Sequence, residues 1–122
     1  MALVREFMGL GVSGGLAQAL RGATTTGIST AGSTITDATD LTTGKNVVST
    51  ATAGQGVQLF NMGAGESQIV YNATATPFTV YPGASTVAIN QFAVGVGVLI
   101  GAYTVCEFHQ VSATQVIANL SA

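Results

Sequence analysis

From Asn46 to the C-terminus, short apolar runs alternate with residues that favour turns. Eight stretches carry the period-two alternation of strands: NVVSTA at 46–51, GVQLFNM at 56–62, SQIVYNA at 67–73, FTVY at 78–81, TVAIN at 86–90, AVGVGVLI at 93–100, YTVCEFHQ at 103–110 and TQVIANL at 114–120. Glycine-containing breaks, AGQG, GAGE and YPGAS, separate several of them. Short strands at close and even spacing predict an all-β fold, an antiparallel β-sandwich or jelly-roll-like barrel of about eight strands. No helix-length polar segment lies between the runs, which argues against a parallel α/β sheet.

Before Asn46 the pattern changes. Residues 1–45 read as an N-terminal arm and 46–122 as the β domain. Within the arm, Ser13 can cap a short helix over about 14–21: Leu16, Ala19 and Leu20 share one face, and Gly22 stops it. So short a helix buries only a thin stripe and is marginal alone in water. The Thr-, Ser- and Gly-rich remainder predicts an extended segment with one or two short strands around Ile28 and Ile35. Leu3, Val4, Phe7, Met8, Leu10, Leu16 and Leu20 are more apolar groups than one short helix can bury on itself, so they form the candidate partner interface.

The longest uncharged run is FAVGVGVLIGAYTVC, residues 92–106. A membrane-spanning helix needs about 20 apolar residues, and Gly95, Gly97 and Gly101 weaken a helix here. Val94, Val96, Val98 and Ile100 alternate with Gly95, Gly97 and Leu99, the period of a strand. Two strands with a turn at Gly101-Ala102 are expected, and no membrane segment.

Composition sharpens the picture. Charged residues make up 7% of the chain, against about 25% in ordinary soluble domains. After Lys45 there is no Lys or Arg at all. Such a surface is built from Thr, Ser, Asn, Gln and Gly, or is hidden against other chains, and low charge promotes association. Three basic residues and a pI near 4.9 exclude the phosphate-neutralising patch that nucleic acid requires. MALVREFMGLGV interrupts its apolar residues with Arg5 and Glu6, unlike a secretory signal.

Motifs that resemble chemistry lack their context. Gly9, Gly11 and Gly14 match G-x-G-x-x-G, yet no strand precedes them and no crossover helix follows. Ser13 matches G-x-S-x-G, and Ser13, Asp37 or Asp40, and His109 mimic a hydrolase order, but a nucleophile elbow needs a buried strand feeding a strained turn. Cys106 and His109 stand three apart on one expected strand and so face opposite sides. No second His or Cys offers a metal ligand set. Asn72-Ala73-Thr74 and Asn119-Leu120-Ser121 fit the glycosylation triplet, a pattern common by chance. The residues therefore predict no catalytic activity, cofactor or metal.

Three stretches, STITDATDLTTGKNVVSTATAGQGVQL, QIVYNATATPFTVYPGASTVAIN and VLIGAYTVCEF, together resemble a recurrent module of tailed-bacteriophage virion proteins. The matching elements are Ala38, Thr39 and Leu41; Asn46 and Val48; Gly54, Gly56, Val57 and Leu59; Asn72, Val80, Tyr81 and Pro82; Ile89 and Asn90; and Phe108. Two departures are Phe60, where the module often carries Pro, and the lack of its late Trp. The resemblance implies a virion structural protein made in the host cytoplasm. On its first reading this is a capsid decoration (cement) protein on the capsid surface, a homotrimer that bridges major capsid subunits. The alternative is a receptor-facing tail fibre or spike component.

Overall fold

The computed structural model describes residues 23–120, and every described element is a strand. The first six are β1 (Thr24–Ser29), β2 (Thr39–Asp40), β3 (Lys45–Thr50), β4 (Gly56–Gln58), β5 (Ser67–Asn72) and β6 (Phe78–Tyr81). They alternate between two sheets, and within each sheet every new strand lies parallel to the one two places earlier. Thr24 lies beside Lys45 and Thr39 beside Val57, then Lys45 beside Ile69 and Val57 beside Val80, so one turn of the chain takes 18–21 residues at first and 23–24 later. Three such turns stack as a β-solenoid.

The chain then reverses. β7 (Ala88–Ile89) sits at the far edge of the larger sheet, parallel to β10 (Gln115–Leu120). β8 (Val98–Ile100) runs antiparallel to β6, and β9 (Val105–Ser112) antiparallel to β5. A tight hairpin pairs β9 with β10. The six-stranded sheet has the order β1-β3-β5-β9-β10-β7, and the four-stranded sheet β2-β4-β6-β8.

The expected antiparallel sandwich or jelly-roll barrel is therefore not the fold. The strand runs largely stand where the alternation puts them, FTVY matching β6 residue for residue. The connections are what differ. A Gly-rich break does not say whether the chain turns back within one sheet or arches to the facing one. Here the breaks after β3, β4 and β5 are arches, which yields parallel pairing with no helix. Of the two strands expected in the Thr-rich segment, the one at Ile28 forms as β1, while Ile35 lies in the turn before β2. Ile28, Ala38 and Leu41 are buried with the rest of the core. The short helix expected over 14–21, and Leu3, Val4, Phe7, Met8, Leu10, Leu16 and Leu20, lie outside the described residues.

The core fills the space between the sheets. Val57, Val80 and Val98 form an inward row across β4, β6 and β8, with Phe78 beside Ile100 in the next. From the larger sheet Ile28, Val48, Val70, Cys106, Phe108 and Val116 face them. Removing these branched and aromatic groups from water supplies the main driving force, about 1.5–3 kcal/mol per side chain.

Buried amides hold the arches. Asn72 Nδ2 donates to the carbonyls of Thr76 at 2.9 Å and Gly101 at 3.0 Å, while its Oδ1 accepts from the Thr74 amide and hydroxyl. Gln68 pairs with both backbone groups of Phe60, and Asn46 Nδ2 donates to Thr43 and Ile69 carbonyls. An arch leaves peptide groups without a ladder partner, and a buried amide supplies one. Tyr81, on the outer face of the smaller sheet, lies where a Cβ on either Gly56 or Gly97 would collide with its ring. The ring thus covers two strands at once.

Candidate functional site

The residues singled out for chemistry do not converge. Ser13 and the Gly9-Gly11-Gly14 motif lie outside the described residues. Asp37 works within the turn before β2, accepting from the Thr34 hydroxyl and from the Ser33 and Thr34 amides. The Thr34 hydroxyl bond, then the Thr34 amide bond, holds this carboxyl below its ordinary value. Asp40 is exposed on the smaller sheet, in the outward row with Gln58 and Tyr81, whereas His109 lies on the outer face of the larger one. The core separates them.

Cys106 is fully buried, and burial first, then the Glu107 charge, pushes its thiol up to about 12. A thiol so held is a small hydrophobe, not a nucleophile. His109 points the other way, with Nε2 3.3 Å from Glu107 Oε2. Among the described residues no group of three His, Cys, Asp or Glu could hold a metal ion, and no helix is long and apolar enough to cross a membrane. Asn72 is a poor glycan acceptor, because both Nδ2 hydrogens are spent inside the fold.

What the surface does offer is apolar. Phe92, Val94, Val96, Leu99 and Tyr103 are 46%, 57%, 44%, 62% and 63% exposed, and all flank or belong to β8, an edge strand of its sheet. The backbone that carries them is fixed. Asn90, in the left-handed region at φ 53°, bonds Ala118 through both side-chain atoms, and its own amide donates to Val116 O. Past it, Phe92 N donates to Ile89 O and Gly95 N to Val87 O. At the other end of β8, Thr104 Oγ1 bonds Gly101 O, and Tyr103 N donates to Thr74 O.

Tyr103 adds a cost of its own. Its φ of 55° is one that a bulky L-residue rarely adopts, and glycine would relieve it. A strained aromatic displayed to solvent on a pinned turn fits a contact residue better than a structural one. The run 92–106 stands out in the sequence for its lack of charge, yet only Val98, Ile100 and Cys106 of its larger side chains are buried. Period-two alternation could have assigned Leu99 outward; the exposure of Phe92, Val94 and Val96 depends on their lying in a loop.

A second apolar surface covers the outer face of the six-stranded sheet. Val47, Tyr71 and Val105 form one cross-strand row, and Lys45, Ile69 and Glu107 the next. Val111 and Ile117 are half exposed farther along.

Comparison with family models, with curated proteins and with solved structures found no match.

Proposed function

We propose that this protein is a bacteriophage capsid decoration protein, which binds the assembled shell and stabilises it through oligomeric β bodies and N-terminal arms. The observation that carries the reading is the pinned, uncharged strip of Phe92, Val94, Val96, Leu99 and Tyr103. Exposed apolar side chains gathered on one edge strand and its flanking turns suit contact with another macromolecule, and the resemblance of residues 34–108 to virion modules supports the class. Burying Phe92 or Leu99 against the major capsid protein would contribute about 1.5–3 kcal/mol each. Binding the assembled lattice more tightly than free subunits then stabilises it by mass action. Leu3, Val4, Phe7, Met8, Leu10, Leu16 and Leu20 are proposed to add further contacts, several copies acting together.

A tail fibre or spike component is the second reading, favoured by one observation. Tyr103 presents an exposed aromatic ring on a rigid turn, a surface on which a sugar ring can stack.

Quantifying copies per purified particle separates the two. Hundreds of copies support decoration, and about a dozen support tail machinery. Adding the full-length protein, and a form lacking residues 1–22, to particles without it then tests the arm. Equal retention of both forms after sedimentation would leave attachment to the β body alone.

A further inference from the structure

We propose that the outer face of the six-stranded sheet is a two-fold interface with a second copy of this chain. The inference does not rest on the shell-binding reading, and it involves the sheet opposite the β8 strip.

The rows on this face are arranged symmetrically about β5. In one, Ile69 on β5 lies between Lys45 on β3 and Glu107 on β9, each one strand spacing, about 4.8 Å, to either side. In the next, Tyr71 on β5 lies between Val47 and Val105. Ile69 and Tyr71 point outward, because their neighbours Gln68, Val70 and Asn72 are buried.

Consider a two-fold axis parallel to β5 and above this face. It lays β5 over the partner's β5, and β3 over the partner's β9. Ile69 then meets the partner's Ile69, Tyr71 meets the partner's Tyr71, and Lys45 meets the partner's Glu107. The reciprocal pair forms at the same time, since an isologous interface makes every contact twice. Lys45 is the one Lys or Arg among those described, and Glu107, whose carboxylate stands 3.3 Å from His109 Nε2 on the same face, is one of two acids after Asp40. A charge-poor chain has thus placed opposite charges at positions that this symmetry superimposes.

The area is adequate. Five strands, β1-β3-β5-β9-β10, overlap under this axis while β7 falls outside it; spaced about 4.8 Å apart and about six residues long at roughly 3.3 Å each, they give a projected face near 500 Å². Side-chain relief raises the accessible area of such a face towards the roughly 800 Å² per partner of a standard interface. A two-fold dimer departs from the three-fold assembly expected from the sequence.

Sedimentation equilibrium on the full-length protein is the first measurement, and the mass of two chains at micromolar concentration is expected. Lys45→Glu and Glu107→Lys each place two like-charge pairs across the interface and should weaken the dimer roughly tenfold or more. Both side chains are exposed, so neither change disturbs the core. The double variant K45E/E107K should return dimerisation to within about threefold of the original. Face-to-face sheets stand about 10 Å apart, beyond direct disulfide reach, so Ile69→Cys should give a covalent dimer with a short bifunctional thiol-reactive cross-linker, while Leu99→Cys, on the other sheet, should not. A monomer at about 100 µM overturns the proposal. A trimer, or a double variant no better than the single ones, overturns it equally.

Discussion

The three parallel coils, residues 23–81, and the antiparallel closure that follows share one core but present different surfaces. Among the described residues, every large apolar side chain that is strongly exposed, from Phe92 to Leu120, belongs to the closure. The coils show solvent mainly Thr, Ser and Gly, and bury amides at their arches. Stacking explains the difference. The second and third coils are bounded on both sides by neighbouring strands, so their inward side chains serve the core or the arch. The closure ends the stack, and its turns are free to carry groups that the fold does not need. Stability thus resides in the coils and at the joint, whereas the strongly exposed apolar groups that the proposed shell contact would use lie in the closure.

The joint is where that division can be broken most severely. Phe108 of β9 lies opposite Gln68 of β5 and is fully buried. Phe108→Ala should cost about 3–5 kcal/mol, measured by denaturant unfolding, and should unfold coils and closure together. Independent melting of the two regions would contradict a shared core.

Asn72 ties the third coil to the turn after β8. Asn72→Ala leaves the Thr74 amide without its partner and removes one of two donors from each of the Thr76 and Gly101 carbonyls, which keep the Thr74 and Thr104 hydroxyls, at a cost of about 1–3 kcal/mol. Hydrogen exchange should quicken first at residues 74–76 and 101–104.

Gly56 and Gly97 compare the two regions at one contact, since both lie under Tyr81. A Cβ at Gly56 would also meet the Thr79 carbonyl, which is backbone and cannot yield; at Gly97 the nearest obstacle is the Thr79 methyl. Gly56→Ala should therefore destabilise more than Gly97→Ala, within the roughly 1–3 kcal/mol range of overpacking. The reverse order, by thermal melts of both variants, would show that the closure is the less yielding side.

Cys106 gives a pH test. Its thiol ionises near 9.0 in an unfolded chain but is pushed up to about 12 in the fold. Below pH 9 both states are protonated, and its stabilising contribution is fully present. Between pH 9 and about 12 the unfolded chain releases the proton first, so stability falls as pH rises. Cys106→Ala should flatten that limb, and the native thiol should resist alkylation until the protein unfolds.

The smallest effect has the opposite sign. Tyr103→Gly relieves a left-handed φ on an exposed turn and should raise stability by up to about 1 kcal/mol. The same change should weaken shell attachment, so stability and binding should move apart.

Strand positions were legible because alternation survives in short runs such as FTVY and SQIVYN. The coiling was not. Successive turns align Gly56 with Thr79 and Gln58 with Tyr81, pairs too unlike to read as a repeat. The amides that mark the arches, Asn46, Gln68 and Asn72, look like ordinary polar strand or turn residues until their partners are known. In the apolar run, Val98 and Ile100 were legible as one face, but whether Val94 and Val96 join them depends on where β8 begins. The anchor proposed in residues 1–22 lies outside the described structure, so the β8 strip is the part of the candidate surface with defined geometry.

Retention on particles lacking the protein tests the division of labour most directly. Leu99→Lys places a charge in the centre of the β8 strip, and Ala53→Lys places one on an exposed arch of the coils. Leu99→Lys should reduce retention after sedimentation roughly tenfold or more, as charge insertion at the centre of an apolar contact does, while Ala53→Lys should bind like the original. If Leu99→Lys is retained as fully as the original protein, the closure is not the contact surface, and the account fails.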